Sequence, residues 1–516
     1  MGINYYAYLK AMKSCFTFFL PTDKALKYNY DPMSFSSNGL GRVMRMLYTG
    51  KGNFPFVNGS AKTQKDEEDP SITWYVLSNY DVNAGVIGKN QTLQGVTQGE
   101  IVNRLRQMLE HNTIVHETLG TDYYNNNGRL VPFINEAEDE FYLSKNGMGI
   151  RVIRDNGQVV AAQGGFQLEN QREFEVEDPL DDAAYSQGVL SAKVQAFGDY
   201  KNGYTFTMNA PLIPAARSVW SVLSNVPRGF SGSQQSEAEG AAENNPYQKF
   251  YEICDHPGID LDQVIKKSGL VDETKYDINN AAQRKQLTAA IAKYSTFEDK
   301  QGVDYNVSFW QNYNYTIFAP TNEAMDNAYA YTYTDEKGEH QFPTWEDIIN
   351  DFDNCEKDDE GNLIHREDSL RLQANIVWLT NFVRLHFADN SVFADKSNHD
   401  YEMISNSFDN QHNVFTKLYV KRQNGVLYVS TKKDSGYSET VPEVTVNGNI
   451  HNVRNIMTCD RSCSQRVKKA VSLNGITVDG SNYAVVHMID GFLMPERPDF
   501  STEARLCNYI EKFKIR

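Results

Sequence analysis

The sequence has 516 residues and a formal net charge of −17, and 40% of its residues are hydrophobic, 12% aromatic and 23% charged. A chain of this length is expected to form two to four domains, each with a core of its own. The excess of acidic residues argues against nucleic acid as a partner, because an acidic surface repels phosphate groups. No apolar run approaches the roughly 20 residues of a membrane-spanning helix.

A short apolar strand that leads into a capped helix occurs near the start of each half of the chain. Residues 16–26 read FTFFLPTDKAL and residues 315–325 read YTIFAPTNEAM, an offset of 299 positions. Proline ends each strand because it has no N–H group to give to a central ladder. Thr22 and Thr321 follow the prolines and are predicted to cap the helices.

An amphipathic helix follows in each half. Apolar residues recur at helical spacing in segments 101–111 and 376–386. The two segments end at His111 and His386, which are 275 positions apart. This pair of helices is the second matched element of the two halves.

Asn-Gly dipeptides at 156–157 and 424–425 interrupt strand-like runs after the helices. This dipeptide is a strong signal for a two-residue hairpin, because both of its residues tolerate positive φ. Helices that precede strands in each half indicate an α+β domain.

A third matched element closes each half. Residues 212–214 read LIP and residues 493–495 read LMP, each at the end of an apolar run, with an offset of 281 positions. Three matched elements in the same order predict a duplicated domain.

Between the halves, residues 224–246 are rich in Ser, Gly, Gln and Glu, which is typical of a linker. The predicted order is a first domain, a linker, a second domain and a C-terminal tail, at residues 1–223, 224–246, 247–496 and 497–516.

The motifs resemble those of the fasciclin family. Residues 316–325 are similar to its first motif, T-[VI]-F-A-P-T-[ND]-x-A-[FM], and residues 17–26 are similar with Leu20 in place of the alanine. Residues 486–495, VHMIDGFLMP, are similar to its second motif, V-H-x-I-D-x-[VFL]-L-x-P. The resemblance is therefore specific for residues 247–496, where both motifs occur in order.

The first copy departs from the family pattern in its second motif. Phe206 stands where the motif has histidine, and Asn209 stands where it has aspartate. The ends of the helices at His111 and His386 resemble the "YH" element of the family. Few residues precede the first motif, and family members usually have helices there, so the chain is expected to begin inside a domain.

The resemblance implies two α+β domains, each a β-sheet wedge or sandwich with packed helices and enlarged by insertions. Tandem domains of this expanded kind resemble bacterial surface lipoproteins that are linked to glycan uptake. The expected function is non-catalytic binding or adhesion outside the cell, at the bacterial outer membrane surface, with a surface protein or polysaccharide as partner. The alternative is a structural scaffold subunit of an envelope complex. No signal sequence is recognised, and membrane association is expected only through an N-terminal lipid anchor outside this sequence.

His487 and Asp490 are the first candidate site residues. They could act as a base and its orienting group, but no Gly-x-Ser-x-Gly motif accompanies them, and strand positions 487 and 490 point to opposite faces. A structural histidine and a turn-forming aspartate are therefore favoured, with ligand contact as the functional alternative. Aromatic residues predicted in loops are the other candidates, because flat rings stack on sugars and anchor protein partners: Tyr123, Tyr124, Trp310, Tyr313 and Tyr331.

Metal and cofactor sites are not expected. Residues 356–367 fit a calcium loop only loosely, since Glu occupies positions where Asp or Asn normally binds, and an acidic turn is favoured. Cys459 and Cys463 form a C-x3-C pair without a matching second pair, so two ordinary thiols or one local disulfide are favoured over zinc.

Overall fold

The computed structural model describes eighteen stretches of the chain. They are residues 14–22, 25, 28–31, 40–49, 71–81, 86–87, 94–95, 108–117, 140–170, 173–177, 184–188, 192–200, 203–215, 217–226, 243–297, 305–310, 314–461 and 481–515.

The described part of the N-terminal half consists mainly of strands. A helical turn at 108–111 lies between β6 and β7. The elements in chain order are β1 (Ser14–Pro21), β2 (Tyr28–Asp31), β3 (Leu40–Thr49), β4 (Ser71–Asp81), β5 (Val86–Ile87), β6 (Gln94–Gly95), β7 (Thr113–Glu117), β8 (Phe141–Leu143), β9 (Gly149–Asp155), β10 (Gln158–Gln163), α1 (Gly165–Asn170), β11 (Glu173–Glu177), β12 (Ala184–Gly188), β13 (Ala192–Tyr200), β14 (Gly203–Met208) and α2 (Val219–Leu223).

The C-terminal half contains most of the described helices. Its elements in chain order are α3 (Gln248–Asp255), α4 (Asp262–Lys267), a 3-10 helix (Glu273–Lys275), α5 (Ala281–Ala292), β15 (Asn314–Pro320), α6 (Asn322–Tyr329), β16 (Thr332–Asp335), β17 (Gly338–Gln341), α7 (Trp345–Asn354), α8 (Arg366–Leu385), β18 (Phe387–Asp389), β19 (His399–Asp409), β20 (Val414–Gln423), β21 (Val426–Ser430), β22 (Ser438–Glu439), β23 (Glu443–Val446), β24 (Asn449–Asn452), β25 (Ile456–Arg461), β26 (Ser481–Ile489) and α9 (Glu503–Phe513).

Each half contains one large curled sheet. The strand order is β7-β1-β14-β13-β10-β9-β8 in the first sheet and β22-β21-β20-β19-β18-β15-β26-β25 in the second. The backbone bridges Ile114–Ser144 and Thr440–Ile489 bring the sheets back onto themselves. Two curled sheets with packed helices confirm the predicted α+β class. A further sheet, in the order β2-β3-β4-β5 with β6 on β4, lies within the first half.

The strands that carry the motifs pair in the same register in both halves. β1 runs parallel to β14 with Phe19 opposite Phe206, and β15 runs parallel to β26 with Phe318 opposite His487. These pairs keep the offsets of 299 and 281 positions that the motifs have in the sequence. The repeat seen in the sequence is therefore also a repeat of backbone pairing.

Asn112 connects the middle element of the first half to the end of the motif strand. Its Nδ2 donates to the Met108 carbonyl over 2.9 Å, and its Oδ1 accepts from the Leu212 N–H over 3.1 Å. Its own carbonyl accepts from the Phe19 N–H over 2.9 Å. One side chain thus joins a helix end to the segment after β14.

His386 makes the same three connections in the second half. Its Nδ1 lies 2.8 Å from the Phe382 carbonyl and donates to it, while its Nε2 accepts from the Leu493 N–H over 3.0 Å. Its own carbonyl accepts from the Phe318 N–H over 2.9 Å. The predicted match of His111 with His386 is therefore wrong by one residue. Asn112 is the equivalent of His386, because an amide offers a donor and an acceptor at nearly the places where a neutral imidazole does.

The predicted hairpins and helix caps are confirmed. Asn156 and Gly157 have φ of 49° and 79°, and Asn424 and Gly425 have φ of 51° and 82°, as a type I′ turn requires.

The two predicted capping threonines accept hydrogen bonds as N-caps do. Thr22 Oγ1 accepts from the Ala25 N–H over 3.2 Å. Thr321 Oγ1 accepts from the Ala324 N–H over 3.0 Å at the start of α6. Each pair is three residues apart, which is the spacing of an N-cap side chain and the N3 amide.

Two segments at the predicted domain borders belong to the core of the C-terminal half. The buried face of α2, with Val219, Val222 and Leu223, packs into that core although α2 precedes the linker. The segment 497–516, set apart in sequence as a tail, contains α9, which packs against α8 through an apolar face that includes Ile510. In the described part of the chain, no helix is long and apolar enough to cross a membrane.

Candidate ligand-binding cleft

His487 is held inside the second curled sheet. Its side chain is fully buried, its Nε2 donates to the Val392 carbonyl over 2.8 Å, and its Nδ1 accepts from the Asn455 N–H at 3.4 Å. Burial lowers the pKa of His487 to about 4, with a smaller contribution from the positive charge of Arg454. The imidazole is therefore neutral at physiological pH and ties β26 to two loops.

Asp490 lies at the surface, one residue after β26. Its Oδ1 accepts from the Glu439 N–H over 2.8 Å, and its own N–H donates to the Glu439 carbonyl over 3.0 Å. These bonds fasten the end of β26 to β22. His487 and Asp490 thus serve different partners, and the structure does not bring them together as a pair.

The candidate aromatic residues have different environments. Trp310 is 7% exposed and stacks on Tyr315 with ring centroids 6.2 Å apart, so its ring faces the core rather than solvent. Tyr331 is half-buried and leans on Tyr333 at 6.3 Å. The predictions for Tyr123, Tyr124 and Tyr313 lie outside the described residues.

The acidic segment before α8 forms a turn. Asp358 accepts hydrogen bonds from the backbone N–H groups of Glu360 and Asn362 over 2.9 and 2.8 Å. The predicted acidic turn is therefore confirmed, and its central carboxylate binds the loop's own backbone. Cys459 is buried in β25, and Cys463 lies outside the described residues.

A cleft of about 420 Å³ lies between the two halves. Its walls come from the start of β8, from α1, from the segment after β18, from the hairpin tip between β20 and β21, and from residues 452–457. The hairpin tip contains the Asn-Gly pair at 424–425, so one of the predicted turns helps to shape the cleft. Charged side chains lie on its walls: Glu140, Arg151, Glu169, Asp395, Lys396 and Arg454.

Asp395 joins the two halves at the edge of this cleft. The side chain is 1% exposed, and its carboxylate accepts from the Glu140 N–H over 2.9 and 2.8 Å and from the Phe141 N–H over 2.9 Å. Beside it, the rings of Phe141 and Phe393 stack with centroids 4.9 Å apart. Hydrogen bonds to an ionised acceptor are stronger than neutral ones, so this contact fixes the cleft walls relative to each other.

The carboxylates of the cleft are already paired. Glu140 lies 2.6 Å from Lys396 Nζ and 3.7 Å from Arg151, and Glu169 lies 3.2 Å from Arg217. The Asp395 carboxylate is occupied by backbone N–H groups. Each carboxylate in the wall thus already has a partner within the protein.

Arg454 differs from the other cations of the cleft. Burial lowers its pKa, and no carboxylate of the described residues acts against this effect. A guanidinium presents five N–H donors in a planar fork that fits carboxylate, sulfate or phosphate oxygens. Arg454 is therefore the group through which this cleft can bind an anionic ligand.

The sequence alone does not indicate this cleft. Asp395 and Glu140 are 255 positions apart, and nothing in their local sequence indicates that they meet. The short segment from Asn452 to Met457 carries no motif, and only the Asn-Gly turn signal pointed to a wall of the cleft.

No protein-family model matches the chain, and no curated protein matches it either. The resemblance to fasciclin domains therefore depends on the motif residues of the chain itself.

Proposed function

We propose that the chain is a non-catalytic binding protein of the bacterial cell surface, built from two fasciclin-like domains, and that it binds an acidic glycan or the acidic surface of another surface protein. The cleft between the two halves carries this proposal. Its walls come from both copies, and its carboxylates already have partners within the protein. Arg454 is therefore available to bind an anionic ligand.

The motif residues support a binding function rather than catalysis. His487 is buried and its two ring nitrogens take part in hydrogen bonds to backbone groups, so it is not available as a base for a substrate in solvent. Asp490 holds a strand end. Both residues maintain the shape of the sheet that carries the cleft loops.

The experiment is a screen of the purified full chain on a glycan array and in pull-downs from envelope extracts, followed by calorimetry with each hit. We expect an acidic ligand whose affinity falls at least tenfold in Arg454→Gln, because a hydrogen-bonded charge contributes about 1.5–3 kcal/mol. Arg505→Gln is the matched control, since Arg505 is an exposed surface arginine paired with Asp499 at 2.7 Å.

Two results would contradict the proposal. One is turnover of a substrate without any stable ligand, which would indicate an enzyme. The other is a stoichiometric protein partner whose binding does not respond to Arg454→Gln, which would favour the scaffold function.

A further inference from the structure

A second pocket, of about 300 Å³, lies at the C-terminal end of α8. Four phenylalanine rings form its apolar walls: Phe309, Phe408, Phe415 and Phe513. Phe415 is 40% exposed, so part of this apolar wall faces solvent. Arg384 lines the polar side of the pocket, and none of these residues lines the cleft between the halves.

Arg384 is held firmly by neutral groups. One of its terminal nitrogens donates to Asn406 Oδ1 over 2.5 Å, and the other donates to the Lys293 carbonyl over 2.8 Å. Its guanidinium lies over the Phe309 ring, 4.6 Å from the centroid. Two of the five guanidinium N–H groups are used in this way, and the N–H on Nε has no hydrogen-bond partner within the described structure.

The positive charge of Arg384 is not balanced by a carboxylate in the described part of the protein. Burial lowers its pKa to about 10, so the group remains a cation at neutral pH. Tyr294 is the neighbouring titratable group, and burial raises its pKa to about 12, so it is neutral. Lys514, which also lines the pocket, is paired with Glu511.

A charge in such surroundings normally has a partner. Cations withdrawn from water are paired or bind ligands, because the loss of hydration is otherwise uncompensated. Arg384 lies in the last turn of α8 and bonds to the carbonyl that ends α5, but a helix C-terminus supplies only about half a negative charge. The arrangement thus combines a cation with a free N–H and apolar walls that are wide enough for a ring.

We propose that this pocket binds a small organic carboxylate with a flat apolar ring, in which Arg384 recognises the carboxylate and the phenylalanines enclose the ring. The pocket volume lies at the lower end of the range for ligand sites, which fits one ring with a short acidic group. This site is separate from the proposed function of the cleft and does not depend on it.

Calorimetry on the full chain with phenylacetate tests the proposal, with phenylacetamide and acetate as probes that lack the charge and the ring. We expect phenylacetate to bind, and we expect phenylacetamide and acetate to bind at least tenfold more weakly. Arg384→Gln should weaken phenylacetate at least tenfold. Phe415→Ala should weaken it several-fold, because it removes part of the wall without touching Arg384.

Arg366→Gln is the matched control. Arg366 is the first residue of the same helix and its side chain is 72% exposed, so affinity for phenylacetate should be unchanged. Thermal unfolding of each variant checks the fold, and if Arg384→Gln fails to fold, the probe comparison and Phe415→Ala carry the test. Absence of binding by millimolar phenylacetate, equal binding of phenylacetamide, or full affinity in folded Arg384→Gln would overturn the proposal.

Discussion

The strands β14 and β26 occupy the same place in the two sheets, but they carry different side chains. Phe206 on β14 stacks on Phe19 with centroids 5.6 Å apart, and His487 on β26 stacks on Phe318 at 6.1 Å. The ring position is the same, but only the histidine adds hydrogen bonds to two neighbouring loops.

The residues just after these strands show the same relation. Asn209 Oδ1 accepts from the Lys193 N–H over 2.7 Å, and Asp490 Oδ1 accepts from the Glu439 N–H over 2.8 Å. The hydrogen bond is retained while the charge differs. The two copies therefore keep geometry rather than residue type, and the motif histidine and aspartate of the second copy act as structural connections.

The largest expected effect is a loss of stability in acid. Burial lowers the pKa of His111, His386 and His487 to about 4 from 6.5. Between pH 6.5 and 4 the unfolded chain binds protons at these residues and the folded chain does not. The contribution of these neutral histidines to the free energy of unfolding is therefore fully present above pH 6.5. It is lost as the pH falls toward 4, by up to roughly 3 kcal/mol per histidine.

Urea unfolding between pH 7.5 and 4.5 measures this slope. The double variant His386→Asn, His487→Phe, which gives the second copy the residues of the first, should have a clearly shallower dependence on pH. An unchanged slope in the double variant would show that these histidines are not the proton-linked groups.

The substitution His487→Phe alone tests whether the second copy tolerates the phenylalanine that the first copy has at this position. We expect a loss of roughly 2–4 kcal/mol at pH 7.5, because the Val392 carbonyl and the Asn455 N–H lose their partner. His365→Phe is the control, since His365 is 59% exposed and should change stability by less than about 0.5 kcal/mol. If urea unfolding shows the same loss of stability for both substitutions, the structural role of the His487 hydrogen bonds is incorrect.

His386 allows a more specific test, because the equivalent residue of the first copy, Asn112, indicates which substitution should be tolerated. His386→Asn keeps a donor toward the Phe382 carbonyl and an acceptor for the Leu493 N–H, so it should cost about 1 kcal/mol, mainly from lost ring contacts. His386→Ala removes both bonds and should cost roughly 3 kcal/mol. If the two variants unfold at the same urea concentration, the equivalence of Asn112 and His386 is incorrect.

Asp490 should give the smallest effect. Asp490→Asn reproduces the residue of the first copy and should be neutral within about 0.5 kcal/mol. Asp490→Ala should cost about 1 kcal/mol through the lost bond to Glu439. Thermal unfolding compares the two variants, and a larger loss for the asparagine variant would indicate that the charge itself matters.

Local signals in the sequence predicted local structure well. The α+β class, the Asn-Gly turns, the capping threonines and the matched motif strands all depend on residues close together in the chain. The match of His111 with His386 failed because residue identity was compared, whereas the fold conserves a donor and an acceptor that Asn112 supplies equally well.

The candidate sites depend on contacts that sequence patterns do not encode. Asp395 meets the backbone at Glu140 across 255 positions. Arg384 and Arg454 are distinguished from the other arginines only by burial and by the absence of a carboxylate among the described residues. Such properties follow from tertiary packing, so no motif or periodicity could have indicated them.

The most direct test of the structural role of the motif histidine is an NMR titration of His487. We expect His487 to stay neutral, with the proton on Nε2, down to about pH 5, because burial lowers its pKa to about 4. Titration of His487 near 6.5, or a proton on Nδ1, would contradict this structural role, because the imidazole would then be open to solvent and free to act on a ligand.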